Sequence, residues 1–367
     1  MQRNRTSVGL DVHARSVVAC GLDGQSGRVF ERRLCPDHAE IISWVRSLPQ
    51  PVSVTYEAGP TGFGLARFLT GEGIDCQVAA PSMLHRPAGD RVKTDVRDAR
   101  HLARLLHLGE ITPVAVPSVE QEAARDLVRA REDVRGDLMS ARHRLSKLLL
   151  RQGIVYYGGH AWTGKHDVWL RAQRRSAVFA APGLGMAFDV GYDGVLAAVA
   201  RRDRLDATIC AMAAASTFTP VVRRLCCVRG VATLTAFGLA VEIGDWHRLT
   251  GRSIGAYLGL VPTEFSSGDS RSHGPITKTG NRHARRLLIE AAWHHRALLR
   301  PTVALRRRQD AASPAARDRA QRANQRLHSR WVGFDGRHKH PHGRQHRDRP
   351  RAGRLVLVIG RARRLTR

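Results

Sequence analysis

Short apolar segments in the first third of the chain alternate with amphipathic ones, and this order constrains the fold more than any other feature. Three predicted strands come first, and a helix, a strand, a helix, a strand and a last helix follow. The predicted strands are residues 7–12, 16–22, 28–34, 52–56 and 75–79, and the last helix begins near Thr94. This order is typical of an α/β sheet. We therefore expect an α/β domain over residues 5–116.

Four carboxylates stand out on this scaffold. Asp11 and Glu57 lie on or just after apolar strands, where acids are uncommon unless they have a task. Asp95 and Asp98 are three residues apart on the last helix, so their side chains share a face. Gathering four acids is unfavourable unless a cation neutralises them, and Mg²⁺ takes oxygen ligands. We expect a magnesium site, although the sequence alone also allows Asp95 and Asp98 to serve only the helix start.

The middle of the chain, residues 117–225, is expected to form a helical arm. Residues 119–152 carry apolar side chains at heptad spacing: Leu127, Val134, Leu138, Ala141, Leu145 and Leu148. Such spacing favours a coiled coil. A Gly- and aromatic-containing loop, 156–165, leads towards a second helix at about 188–215, and the two could form an antiparallel hairpin. The pattern fits dimerisation, nucleic-acid contact or a solvated bundle equally well.

Residues 226–330 are expected to form a mainly helical domain. A turn at Arg229–Ala232 between two apolar helices resembles a helix–hairpin–helix element, whose backbone N–H groups can hold a phosphate. The segment 281–299 predicts an amphipathic helix with arginines outward. His294 and His295 are expected at the surface, because no third ligand is spaced for a metal.

Two adjacent hydroxyls, Ser266 and Ser267, precede Gly268 on a predicted turn. A serine needs a base or a metal to become a nucleophile, and such a serine can also serve only as a turn or a phosphate contact. Cations cluster around this turn and in the N-terminal domain, and we expect the following to bind nucleic acid: Arg271, Lys278, Arg282, Arg285, Arg286 and Lys93.

The net charge of +28 and the pI near 11.4 indicate a polyanionic partner. Six cysteines without C-x-x-C spacing predict neither a zinc site nor a disulfide framework. With no signal-peptide pattern and no apolar run of membrane length, we expect a cytoplasmic, nucleoid-associated protein without a membrane partner.

From about Trp331 to residue 367 the composition becomes rich in Arg, His, Gly and Pro. This segment is predicted to be an irregular basic tail that binds nucleic acid non-specifically. A second hypothesis is that it is translated out of frame, which translation of the other frames of the gene's 3′ end would test.

The motifs together resemble a known family. V-G-L-D-V-H with Asp11, Y-E-A-G-P-T-G with Glu57, and K-T-D-V-R-D-A-R with Asp95 and Asp98 look like the DEDD motif of insertion-sequence transposases. That family has a RuvC-like, RNase H-like N-terminal domain. Its C-terminal transposase domain carries G-L-x-P-x-x-x-x-S-G, which is similar to Gly259–Gly268 here and selects Ser267 over Ser266. The resemblance covers about residues 5–330.

The resemblance implies a serine recombinase guided by a structured non-coding RNA. In such an enzyme, the four acids would hold Mg²⁺ at the scissile phosphate of DNA, and Ser267 would attack the phosphorus. The serine would join the acids across a subunit interface, so a homo-oligomer, a dimer or tetramer, is expected. Two alternatives stay open: a metal-only junction nuclease in which water attacks, and an inactivated copy that only binds nucleic acid.

Overall fold

The computed structural model describes residues 4–85, 94–251, 253–268, 270, 272–298 and 300–335, and side chains as far as residue 333. They fall into two compact units, with the boundary between Ser118 and Val119. Two of the cations expected to bind nucleic acid, Lys93 and Arg271, lie outside the described residues. Residues 336–367, most of the predicted tail, lie outside them as well.

The first unit is built on a five-stranded mixed sheet. Its strands are β1 (Thr6–Val12), β2 (Val17–Asp23), β3 (Val29–Leu34), β4 (Val52–Glu57) and β5 (Asp75–Ala79). Their order is β3-β2-β1-β4-β5, with β1, β2 and β3 antiparallel and with β4 and β5 parallel to β1. The expected α/β sheet is confirmed, and its topology is consistent with a RuvC-like domain.

Three helices cover the two faces of this sheet: α1 (His38–Ser47), α2 (Gly64–Gly71) and α3 (Asp95–Leu108). The apolar side chains of α1 and α2 share one core with the strand residues Val8, Leu10 and Val54. On the opposite face, Ala99 and Ala103 of α3 pack against β2. Because successive strand residues point to opposite faces, Val8 and Leu10 face α1 and α2, whereas Gly9 and Asp11 face α3.

The second unit is mainly helical. Its elements are α4 (Val119–Arg151), α5 (Gly164–Arg174), α6 (Pro182–Ala214), α7 (Thr219–Leu225), α8 (Thr233–Ile243), α9 (Ser253–Tyr257), β6 (Pro262–Glu264), β7 (His273–Ile276), α10 (Arg282–Trp293), α11 (Val303–Asp310) and α12 (Pro314–Asp335). Strands β6 and β7 form a two-stranded antiparallel hairpin.

Helices α4 and α6 lie along each other in opposite directions. Near the start of α4, Val128 shares a core with Ile209 of α6, whereas near its end Leu148 shares a second core with Phe188. The first of these cores also contains α7, α8 and α10, so the base of the predicted arm and the C-terminal segment are packed together. The heptad spacing of α4 stays a prediction of a coiled coil.

The end of α10 corrects two expectations. The helix ends at Trp293 rather than continuing to residue 299. His295 is only 3% exposed, and burial lowers its pKa to about 4, whereas His294 is exposed as expected. Helix α12 packs against this segment: the Trp331 ring lies 5.7 Å from that of Trp293, and His328 Nδ1 lies 3.0 Å from the His295 carbonyl oxygen. Since α12 is helical to Asp335, helical structure also extends beyond the expected start of the tail.

One helix among the described residues, α6, is long and apolar enough to cross a membrane by length and composition. One helix that passes this test is weak evidence, so the finding does not overturn the expectation of no membrane partner. Helix α6 packs along α4 through two shared cores, and 22% of its apolar window is buried. A single helix of this kind does not assign the chain to a membrane.

Candidate active site

Gly9 brings α3 close to the centre of the sheet. A Cβ atom at residue 9 would lie 2.2 Å from the Ala99 carbonyl oxygen and 2.4 Å from the Ala103 nitrogen. Only glycine permits this approach between a strand and a helix backbone. Because α3 begins at Asp95, the contact carries the first turn of α3 towards the carboxyl end of β1.

Asp11 and Glu57 lie side by side on neighbouring strands. Strands β1 and β4 are parallel, and Leu10 is paired with Tyr56, so the next residues on each strand are the two acids. Leu10 and Tyr56 point into the core, and Asp11 and Glu57 therefore both project from the face that α3 covers. Both acids also line a cleft of about 830 Å³ at this edge of the sheet.

His13 joins the acids, a role that the sequence interpretation missed. Its Nε2 atom lies 3.1 Å from Asp11 Oδ2 and 3.8 Å from Asp95 Oδ1. Ligand atoms of these three residues are all within 4.8 Å of one another. The sequence does hold a signal, because Asp11 and His13 are two residues apart at the end of a strand and so point the same way.

The electrostatics of Asp11 also bring Asp98 into this group. Burial raises the pKa of Asp11, His13 lowers it in part, and the charges of Asp95 and Asp98 raise it again. The three carboxylates are therefore close enough to repel one another. Thr94, not Asp95, caps α3, because the Thr94 hydroxyl accepts the hydrogen bond from the Arg97 N–H at 3.4 Å; a favourable effect of Asp95 and Asp98 on the helix dipole stays an alternative. The Asp95 carboxylate faces His13 instead.

These residues fit a divalent cation. Carboxylate oxygens are the donors that Mg²⁺ prefers, and a cation among Asp11, Asp95 and Asp98 would relieve the repulsion that adds to the effect of burial in raising the pKa of Asp11. Asp95 is about half exposed and Asp11 about one-fifth exposed, so a substrate phosphate can reach the group. Glu57 would complete the set from β4.

Ser267 lies at the tip of the β6–β7 hairpin. Its N–H and carbonyl are paired with Ser270 at 3.2 and 3.1 Å, and Gly268 adopts a positive φ of 55° in the turn. The neighbouring Ser266 hydroxyl donates to Glu264 Oε1 at 2.9 Å. The Ser267 side chain is exposed and makes no hydrogen bond to any residue that the structure describes.

The glycines that flank the serine hairpin hold its base together. Gly259 has a φ of +60°, and a Cβ atom there would lie 2.1 Å from the Thr279 carbonyl oxygen. A Cβ atom at Gly280 would lie 2.0 Å from the Tyr257 carbonyl oxygen. The Arg285 guanidinium donates to the carbonyls of Leu258 and Thr279 across the same junction. Gly259 of the G-L-x-P motif is therefore structural.

The cations near the hairpin divide into two groups. Lys278 and Arg282 are exposed, as expected for residues that contact nucleic acid. Arg285 and Arg286 do not point outward as expected, because Arg285 binds backbone carbonyls and Arg286 pairs with Glu132 and Glu290. The prediction that both side chains point outward from α10 was wrong, because both find hydrogen-bond acceptors within the second unit.

A buried carboxylate on α8, which the sequence did not reveal, organises the start of α10. Glu242 is fully buried and accepts hydrogen bonds from Arg129 at 3.1 Å, Asn281 at 2.7 Å and His283 at 3.1 Å. Burial opposes its ionisation, but these partners hold the pKa of Glu242 down to about 2. This network fixes the segment that immediately follows the serine hairpin.

The turn between α7 and α8 is covered within the second unit. The Arg229 N–H donates to Asn324 Oδ1 at 2.9 Å, and the Arg229 side chain donates to the carbonyls of Ala297 and Leu298. A Cβ atom at Gly230 would lie 2.5 Å from the Ala291 carbonyl oxygen. A phosphate contact at this element stays a prediction.

A mixed sheet with acids at the carboxyl ends of β1 and β4 and at the start of α3 is consistent with a DEDD-type transposase domain. Comparison with known families agrees. Residues 8–153 match a transposase family of the DEDD type named for IS110 elements, and residues 222–306 match the Transposase IS116/IS110/IS902 family. The first match contains all four acids, and the second contains Ser267.

Individual relatives extend the likeness over most of the chain. A putative transposase of Sinorhizobium fredii is 36% identical over 90% of this chain and 82% of its own. The transposase for insertion sequence element IS1533 of Leptospira borgpetersenii is 31% identical over 80% of this chain and 86% of its own. The chain belongs to the IS110/IS116/IS902 family of transposases, and its activity is DNA transposition.

Proposed function

We propose that this transposase cuts and rejoins DNA through Ser267, with Mg²⁺ held by Asp11, Glu57, Asp95 and Asp98. The observation that carries the proposal is the convergence of Asp11, Asp95 and Asp98, with His13 among them, beside a cleft that Asp11, His13 and Glu57 line. The exposed hydroxyl of Ser267 on a hairpin turn supports the second half of the proposal.

In the proposed reaction, Ser267 Oγ loses its proton and forms a bond to the scissile phosphorus. The bond from phosphorus to the 3′-oxygen breaks, and that oxygen takes up a proton. The products are a 5′-phosphoserine link and a free 3′-hydroxyl. Mg²⁺ on the acids would stabilise the charge on the attacking and leaving oxygens. The reverse attack by a 3′-hydroxyl rejoins DNA without ATP, because the phosphodiester energy is conserved.

The partners of the reaction follow from charge and from the family resemblance. A net charge of +28 favours nucleic acid, and exposed Lys278 and Arg282 lie just after the serine hairpin. We propose that a structured non-coding RNA selects the DNA target. We also propose that Ser267 of one subunit acts with the acids of another, in a dimer or tetramer.

A metal-only nuclease is the second candidate, and one observation favours it: the acid group lies wholly within the first unit. In that case water attacks the phosphorus, and Ser267 only contacts phosphate.

Cleavage assays with Ser267→Ala separate the two candidates. The substrate is DNA of the element's ends, supplied with its RNA and Mg²⁺, and Ser266→Ala is the matched control. We expect Ser267→Ala to abolish cleavage and strand transfer while Ser266→Ala retains both. Cleavage by Ser267→Ala at the wild-type rate would establish the metal-only nuclease.

A further inference from the structure

The loop between α4 and α5 is built on a packed group of aromatic rings. The His166 ring is the centre of the group, with ring-centroid distances of 4.7 Å to Tyr156, 5.1 Å to Trp162 and 5.4 Å to Trp169. His166 itself is buried. Offset and edge-on aromatic contacts of this kind hold rings in fixed orientations. The loop therefore stands on a rigid base, which we call the aromatic base.

The backbone of the loop is shaped to fit this base. The Tyr156 hydroxyl donates to the Gly158 carbonyl at 3.1 Å, and a Cβ atom at Gly158 would lie 2.5 Å from the same hydroxyl oxygen. Trp162 adopts a φ of +65°, which is costly for a bulky side chain. Residues held in such conformations cluster at functional sites, where the surrounding packing enforces them.

Tyr157 projects from the loop beside the aromatic base. It is 89% exposed, the most exposed of the large hydrophobic side chains in the described residues. Its neighbours Tyr156 and Trp162 are half-buried. An aromatic ring left almost wholly in water on a rigid loop offers both of its faces to a flat ligand.

The surrounding charge identifies the class of that ligand. Residues 142–175 contain eight lysines and arginines and a single acid, Asp167. Lys165, in the first turn of α5, is exposed, and Arg151 ends α4 on the other side of the loop. The Arg142 guanidinium lies 5.1 Å from the centre of the Trp162 ring. Cations that come before and after an exposed aromatic residue in the chain fit a phosphate backbone with accessible bases.

We propose that this loop is a binding surface for unpaired nucleotides, in which Tyr157 stacks on a base and Lys165 and Arg151 contact the flanking phosphates. The bases of a duplex are already stacked on one another, so an exposed ring gains this contact only from a single strand. The inference goes beyond the proposed function, because it requires neither Ser267 chemistry nor the metal site. Unpaired segments of RNA and of DNA share the recognised chemistry.

Binding by the full-length protein tests the proposal. Fluorescence anisotropy measures the affinity for labelled oligouridine, oligothymidine and a DNA duplex of matched length. We expect Tyr157→Ala to weaken single-strand binding by roughly 5- to 10-fold, which is at the lower end of the effects known for loss of one stacked base. Tyr157→Phe keeps the ring and is expected to bind as the wild type does. Val168→Ala, which removes another exposed apolar side chain, is the matched control.

The duplex and the charge variant complete the test. Tyr157→Ala is expected to leave duplex binding unchanged. Lys165→Ala is expected to weaken binding of all three probes and to reduce the slope of log affinity against log salt concentration by about one. A larger loss for oligouridine or for oligothymidine assigns the ligand to RNA or to DNA. Unchanged single-strand affinity in Tyr157→Ala, or an equal loss for the duplex, would overturn the proposal. Cleavage is not measured, so failure here is distinguishable from failure of the serine mechanism.

Discussion

Replacement of Gly9 by alanine tests how the fold assembles the acid group. The added Cβ atom would lie 2.2 Å from the Ala99 carbonyl oxygen, about 1.2 Å short of the 3.4 Å at which ordinary contact begins. The opposing atoms belong to the backbone of α3, so no side chain can rotate away. Helix α3 must move by about 1 Å, and it carries Asp95 and Asp98 with it.

The expected cost has two parts. Overpacking of this kind typically lowers the free energy of unfolding by about 1–3 kcal/mol. Misplacement of catalytic groups by about 1 Å can reduce the rate by about 100-fold. We therefore expect Gly9→Ala to remain folded under native conditions but to cleave DNA about 100-fold more slowly.

Urea unfolding followed by circular dichroism, together with the cleavage rate, measures both effects. Gly21→Ala on β2 is the matched control, because the nearest atom to its Cβ would be the end of the Leu48 side chain, at 3.1 Å, and Thr6 and Val8 would lie at ordinary contact distances of 3.6 and 3.7 Å. That flexible side chain can adjust, so a change below about 1 kcal/mol is expected. If Gly9→Ala matches Gly21→Ala in stability and the wild type in cleavage, the close approach of α3 to β1 does not assemble the site.

Three further predictions concern charge. Asp98→Asn is expected to abolish cleavage while DNA binding persists in a filter-binding assay, and wild-type cleavage in the presence of a chelator would refute the metal assignment. Glu242→Gln is expected to lower the free energy of unfolding by about 3 kcal/mol at pH 7, since a fall in pKa from 4.5 to about 2 is worth that much. The control is exposed Glu290→Gln, which should lower the free energy of unfolding by less than about 1 kcal/mol. Because the folded-state pKa of Glu242 is lowered, its contribution is complete above pH 4.5 and is lost as the pH falls towards 2, so the urea midpoints of wild type and Glu242→Gln should converge in acid.

The sheet and its acids could be predicted from the sequence because both depend on local patterns. Apolar runs separated by turn residues define the strands, and the acids stand out at their ends. His13 follows the same alternation as Asp11, so it was within reach of the same argument. Gly9 was not, because the need for glycine arises from α3, which begins more than eighty residues later in the chain.

The second unit was harder to predict because its polar groups pair across long sequence separations. Glu242 resembles any acid in an apolar helix until Arg129, Asn281 and His283 are placed around it. Arg285 resembles an exposed cation until the Leu258 carbonyl is placed beside it. In the same way, α12 packs against the segment that contains the buried His295, and no local pattern reveals which helices pack together.

The most direct test of the proposed mechanism is to look for a covalent intermediate. The protein is incubated with the element's end DNA, its RNA and Mg²⁺, and the products are separated on a denaturing gel. We expect a protein–DNA adduct, and after nuclease digestion mass spectrometry should place the phosphate on Ser267. The adduct should be absent from Ser267→Ala and present in Ser266→Ala. Efficient cleavage without an adduct, or an adduct on another residue, would contradict the assignment of Ser267 as the nucleophile.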